Sequence, residues 1–161
     1  MALLMAFLKR ESCHDLGSID WFYHGAKKGL FEIRFTSQFI REMNKSPEAV
    51  QALFYEWFSD RDDLDYAAGS VFRLDYSELD GIDTVGFIND FLESQLRGIL
   101  GVRGKEHRRY GDIDQLIGHR NSGADAFVTL DGRTIETHKH QLLKLGICIV
   151  TPREVRESFG F

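Results

Sequence analysis

The chain has 161 residues, of which 43% are apolar, and this length and composition suit one domain with its own core. A formal net charge of −5 argues against a protein that coats nucleic acid with a basic surface, but not against a nuclease with an acidic site. With 2 cysteines we expect no disulfide framework and no paired-cysteine zinc site, which fits a reducing, cytoplasmic compartment. The apolar run 2–8 is too short to cross a bilayer, so no membrane partner is expected.

Hydrophobic patterning predicts both strands and helices in the first third of the chain. The apolar run 3–8 predicts a buried strand. In segment 30–35, LFEIRF, apolar and polar residues alternate, which predicts a strand with one face exposed to solvent. Ser18 is placed to cap a helix between these two strands, and Thr36 or Ser37 is placed to cap a second helix.

A further helix is predicted from Ser46-Pro47, because proline is favoured at the first helical position. Its apolar side chains recur at helical spacing and predict a core-facing stripe of Val50, Leu53, Phe54, Trp57 and Phe58. The charged residues 59–65 predict a solvated loop, and 71–76 predict a strand or extended segment. Helical spacing then resumes at Val85, Ile88, Phe91, Leu92 and Leu96.

The C-terminal third alternates helix and strand, a pattern typical of a parallel sheet. We predict a basic loop at 102–111, a helix at 112–121, a strand at 126–130, a helix at 134–145, a strand at 147–150 and a final helix after Thr151-Pro152. In such a sheet, ligands bind beyond the carboxyl ends of the strands, and Asp131 lies at one of these ends.

The same third of the chain resembles the PIN-domain nucleases. That family's pattern of an acid, an apolar helix, GAD, a strand and T-x-D is matched by DIDQLI at 112–117 and GADAFVTLD at 123–131. Its closing G-I-x-I-x-T-P segment is matched by KLGICIVTP at 144–152. Upstream, FTSQFIREM at 35–43 resembles the family's strand, serine and helical acid.

The resemblance covers roughly 110–161 and 20–45, and it implies a single PIN-like domain over 1–161 with an unmatched insertion at about 59–109. The implied fold is a Rossmann-like three-layer α/β/α sandwich with a mostly parallel central sheet. The implied function is that of a metal-dependent endoribonuclease, a hydrolase that cuts RNA phosphodiester bonds. A toxin of a toxin–antitoxin pair is one form of this function.

Carried over by this resemblance, Glu42, Asp112 and Asp131 fall on three acidic, catalytic positions of the metal site. The metal would be Mg²⁺ or Mn²⁺, hard ions that prefer oxygen ligands. Such an ion lowers the pKa of bound water and offsets charge on the phosphate. Each acid also has an ordinary explanation, as a surface helix residue, a helix cap or a turn residue, but their order and spacing favour the site.

The family's fourth acid is an aspartate that ends the first strand, where this chain has Lys9. Three explanations stay open. In the first, a shifted loop supplies the carboxylate from Glu11, which we take as the fourth metal ligand, or from Asp15. In the second, the true first strand lies upstream. In the third, Lys9 neutralises a pocket that holds no metal. The last would make the protein a degenerate PIN-like domain that acts as an RNA-binding or protein-interaction module.

A nuclease also needs cations that hold backbone phosphates. The predicted RNA-binding residues are Arg103, Lys105, Arg108, Arg109 and Arg133. Besides RNA, the expected partners are an antitoxin or another protein, and a second copy of the chain if aromatic residues are exposed. A Rossmann nucleotide binder is disfavoured, because no Gly-x-Gly-x-x-Gly loop follows the first predicted strand.

Overall fold

The computed structural model describes residues 6–7, 15–58, 90–102, 107–132 and 135–161. Several predictions lie outside these ranges. They are the loop at 59–65, the strand at 71–76, the helical positions Val85 and Ile88, and the roles of Lys9, Glu11, Arg103, Lys105 and Arg133. Within the described ranges, no helix combines the length and the apolar character that a membrane span requires.

The described helices and strands follow the chain in an order close to the predicted one. The N-terminal part contains α1 (Leu16–Lys27), α2 (Ser37–Asn44) and α3 (Glu48–Phe58). The C-terminal part contains α4 (Asp90–Leu100), α5 (His107–Ser122), β1 (Phe127–Val128), a 3₁₀ turn (Glu136–His138), α6 (Lys139–Leu143), β2 (Ile149–Val150) and α7 (Pro152–Ser158).

The sheet differs from the predicted one. In the described residues it consists of β1 and β2 alone, which are parallel and have 2 residues each, with Phe127 opposite Ile149 and Val128 opposite Val150. Helices dominate the rest. The prediction of a three-layer α/β/α sandwich with a mostly parallel central sheet is therefore wrong, although the parallel pairing of these two strands agrees with the helix–strand alternation.

Two predicted strands account for much of the difference. In segment 30–35 the side chains alternate between exposed and half-buried as predicted, yet the segment is not assigned to a strand. Ala6 and Phe7, within the predicted strand 3–8, are helical. The alternation of apolar and polar residues determines which face of a segment is exposed to solvent. A strand also needs a neighbouring strand to pair with, and the local sequence does not specify that neighbour.

The buried side chains form two clusters. The aromatic cluster draws on α1, α2 and α3 and includes Phe7, Phe22, Tyr23, Met43, Phe54 and Phe58. The aliphatic cluster draws on α4, α5, α6 and β2 and includes Leu92, Leu96, Ile113, Leu116, Ile117, Leu142 and Ile149. Strand β1 joins them, since Phe127 packs on the aliphatic cluster and Val128 on the aromatic one.

Local signals in the sequence predict several helix ends and buried faces correctly. Thr36 caps α2 by accepting a hydrogen bond from the N–H of Phe39 at 3.2 Å. On α4, Leu92 and Leu96 are buried as predicted, but Phe91 is 71% exposed. Helix α1 is capped by Asp15 and therefore begins before the predicted cap at Ser18.

Helix α7 begins with the predicted capping box. The hydroxyl of Thr151 accepts from the N–H of Glu154 at 3.2 Å, and the Glu154 carboxylate accepts from the N–H of Thr151 at 2.8 Å. Pro152 occupies the first turn. These contacts satisfy backbone donors that the start of a helix leaves unpaired, and they fix the chain where it leaves β2.

On α3, Val50, Phe54 and Phe58 are buried as predicted, whereas Leu53 is 36% exposed. Phe54 is 0% exposed, whereas its neighbour Tyr55 is 42% exposed on the same helix. We expect Phe54→Ala to lower the free energy of unfolding by about 3–5 kcal/mol, because it removes a buried ring and leaves a cavity. Tyr55→Ala is the matched control and should cost less than about 1 kcal/mol. Urea unfolding measures both, and equal losses would contradict the packing described above.

Candidate functional site

Glu42, the first predicted metal ligand, lies where α2 packs against α5. Its Oε1 accepts hydrogen bonds from Nε2 of Gln38 at 3.1 Å and from Nε2 of Gln115 at 3.2 Å. The same oxygen lies 3.2 Å from the position that a Cβ on Gly111 would occupy. Glycine at this position therefore lets the carboxylate approach the backbone of α5.

Asp112, the second predicted ligand, directly follows Gly111, so the contact brings Glu42 alongside the segment that carries Asp112. Asp112 and Gln115 are about 60° apart around the helix axis, which places Asp112 on the flank of the α5 face that meets Glu42. Asp112 is half-buried. It is not a helix cap, since α5 begins more than one turn earlier, at His107.

Asp131, the third predicted ligand, follows β1 at its carboxyl end, as the sequence indicates. Its N–H donates to the hydroxyl of Thr129 at 3.0 Å, and its C=O accepts from the N–H groups of Ile135 at 3.2 Å and Glu136 at 2.9 Å. These backbone contacts form a turn. Across the ranges that the structure describes, no three His, Cys, Asp or Glu side chains are grouped so that they could hold a metal ion.

The described acids suit a divalent ion in part. Mg²⁺ is often held by one or two protein carboxylates together with substrate phosphates and waters, so Glu42 and Asp112 could hold an ion that also contacts a phosphate. They do not form a closed cage. The two amide donors occupy Oε1 of Glu42, while no hydrogen bond from a described residue reaches its Oε2.

The residues that position Glu42 were not singled out from the sequence. Gln38 precedes Glu42 by four residues on α2, a spacing at which helical side chains meet, so this contact could have been inferred. The contact with Gln115 joins residues 73 positions apart and had no local signal. Arg108 and Arg109 lie in the first turn of α5, and their side chains are outside the described part of the chain.

Two cavities lie near these residues. The first, of about 630 Å³, is lined by aromatic side chains and by Gln115, which also donates to Glu42. The second, of about 590 Å³, lies at the carboxyl ends of β1 and β2 and is lined by Asp15, Leu130, Glu136, Thr151 and Arg156, among others. Asp15, a candidate for the fourth acid, therefore lines a different cavity from the one that adjoins Glu42.

His119 of α5 lines the first cavity and is 5% exposed. Its ring meets that of Phe127 edge-on, with 5.6 Å between centroids. Burial lowers the pKa of His119 below its ordinary value, because removing the ring from water disfavours the charged form. The imidazole is therefore neutral at pH 7.

This burial predicts a dependence of stability on pH. In the unfolded chain His119 takes up a proton near pH 6.5, above the pKa of the folded form. The histidine's contribution is thus complete above pH 6.5 and is lost as the pH falls through the folded-state pKa. We expect His119→Gln to reduce the fall in free energy of unfolding between pH 7.5 and pH 5.5, measured by urea unfolding. The exposed His140→Gln is the control, and the same slope in all three proteins would contradict the assignment.

Comparison of the chain with protein-family models, with curated proteins and with solved structures finds no match in any of the three. The resemblance to PIN-domain nucleases therefore stays a prediction that rests on the sequence motifs alone.

Proposed function

We propose that this chain hydrolyses RNA phosphodiester bonds with Mg²⁺ or Mn²⁺ held by Glu42 and Asp112. The observation that supports this function is the approach of the Glu42 carboxylate to α5 at Gly111, directly before Asp112. Carboxylates from two different helices then lie on neighbouring segments, an arrangement that can provide oxygen ligands to a hard cation.

Gln38 and Gln115 act as positioning residues in this proposal. Their amides hold Oε1 of Glu42, which fixes the plane of the carboxylate and directs the remaining oxygen. Partners of this kind orient a ligand and usually affect metal affinity without touching the ion. A bound ion would supply an activated water and would offset charge on the phosphate.

RNA would approach along the start of α5. Arg108 and Arg109 belong to the first turn of this helix and precede Asp112 by about one turn. Cations at this place would contact backbone phosphates, and the N-terminal end of a helix also favours anions. Such contacts hold the strand without reading its sequence, so they predict cleavage with little base preference.

The second candidate function is the degenerate PIN-like module, which binds RNA or a protein without cutting RNA. The turn contacts of Asp131 and the lack of a three-acid group in the described ranges favour this candidate. Metal binding separates the two functions, since only the enzyme needs the acids as ligands.

For the enzyme, the double variant Glu42→Gln with Asp112→Asn should lose cleavage that depends on Mn²⁺. Replacing groups that merely orient a metal ligand typically costs about 10–100-fold, so loss of two ligands should cost at least about 100-fold. The assay follows a labelled single-stranded RNA in Mn²⁺ and in EDTA. Asp125→Asn is the matched control, because Asp125 is exposed at the amino end of β1.

Cleavage by the double variant at the wild-type rate would refute the assignment of Glu42 and Asp112. Wild-type protein that neither binds Mn²⁺ by calorimetry nor cuts RNA, yet retains RNA in a filter-binding assay, would support the degenerate module instead.

A further inference from the structure

We propose that the 630 Å³ cavity is a binding site for a neutral, planar heteroaromatic molecule with a hydrogen-bonding edge, the chemical class to which nucleobases belong. Its volume lies within the range of about 300–1,000 Å³ that is typical of small-molecule pockets. The site is distinct from the pair of acids, and binding to it requires neither metal nor hydrolysis.

The walls of the cavity come from two pairs of packed helices. Helix α1 packs on α7 and helix α2 packs on α5, and residues of both pairs line the space. Strand β1 and segment 31–36 also line it. Because β1 lines it, the cavity lies beside the strand that joins the aromatic and aliphatic clusters.

Aromatic rings provide most of the large lining side chains. They include Phe22, Phe31, Phe35, Phe39 and Phe127. Rings of this kind favour a planar aromatic guest through stacked or edge-on contacts. An aliphatic guest would gain burial, but not these contacts.

Two polar side chains that are mostly buried line the cavity. Tyr23 is 4% exposed and His119 is 5% exposed, and both line the space. Neither the Tyr23 hydroxyl nor the His119 ring makes a hydrogen bond within the described part of the chain. Neither polar group is among the fully enclosed side-chain atoms without a partner, so both are open to a guest, and one that offers both a donor and an acceptor matches them better than a purely apolar one.

The outer edge of β1 adds a backbone donor and a backbone acceptor to the polar side chains that line the cavity. The N–H groups of Phe127 and Thr129 donate to the C=O groups of Cys148 and Val150 at 2.8 Å and 3.0 Å. Because consecutive residues of a strand direct their amides to opposite edges, the N–H and C=O of Val128 point away from β2. Val128 lines the cavity, so a donor and an acceptor lie in the plane of the strand.

Apart from Asp125, which is exposed at the amino end of β1, the charge of the walls favours a neutral guest. Burial lowers the pKa of His119 and raises the pKa of Tyr23, so both side chains are uncharged at pH 7. Arg34 pairs with Glu32 at 2.8 Å, and Glu154 pairs with Lys139. A phosphate placed here would therefore have to compete with an existing ion pair for its cation.

The test uses adenine, which is planar and neutral at pH 7.5, titrated into the full chain by calorimetry in EDTA. Naphthalene, a planar molecule without a polar edge, is the control ligand. We expect saturable binding of adenine, about tenfold weaker in Tyr23→Phe, which removes one hydroxyl and keeps the ring. Tyr55→Phe is the matched variant, since Tyr55 lies on α3 and is not part of the cavity lining. Its hydroxyl donates to the side chain of Asn44 at 3.4 Å. It should bind adenine like the wild type.

Proton NMR gives a second readout at the site. Adenine should shift the ring protons of His119, whereas those of the exposed His140 should not move. No saturable binding together with an unmoved His119 would overturn the proposal. Binding of naphthalene at least as tight as that of adenine, unaffected by Tyr23→Phe, would overturn it as well, because the polar edge would then play no part. Since EDTA removes divalent metal, either result is independent of RNA hydrolysis.

Discussion

The parallel pairing of β1 with β2 is the contact on which the arrangement of the other elements depends. Parallel strands cannot be joined by a tight turn, so the chain between them runs through the 3₁₀ turn and α6 before it returns. The pairing also brings the turn at Asp131 and the capping box at Thr151 to the same edge. With Phe127 and Val128 packed on different clusters, this short sheet connects the aromatic and aliphatic parts of the core.

The acids depend on a second constraint, the close packing of α2 on α5. Glycine at position 111 leaves the space that Oε1 of Glu42 enters, and the amides of Gln38 and Gln115 hold it there. The same hydrogen bonds that orient the carboxylate also use one of its oxygens. A metal at this place would therefore depend on the other oxygen, on Asp112 and on phosphate oxygens from the substrate.

Features set by neighbouring residues could be predicted from the sequence, and features set by distant partners could not. The capping box at Thr151 and the helix end at Gly123, where φ is +66°, depend on a few adjacent residues. Segment 30–35 shows the predicted alternation of exposure, but whether it pairs depends on the rest of the chain. The site divides in the same way: motif order suggested Glu42 and Asp112, whereas the amide of Gln115 reaches Glu42 across 73 positions and had no signal.

Gln115 physically connects the acids with the cavity, because it lines the cavity and donates to Glu42. A guest that accepted the hydrogen bond of Gln115 would leave Oε1 of Glu42 with the single donor Gln38 and would change the affinity of this carboxylate for a cation. Binding free energies at two such sites are coupled reciprocally, so a cation at Glu42 would change the affinity of the cavity by the same factor. Because Gln115 helps to orient this carboxylate, withdrawal of its hydrogen bond would loosen the ligand, so occupation of the cavity in this way would weaken cation binding. A guest held only by Tyr23, His119 and Val128 would leave Gln115 in place, and the two sites would then bind independently.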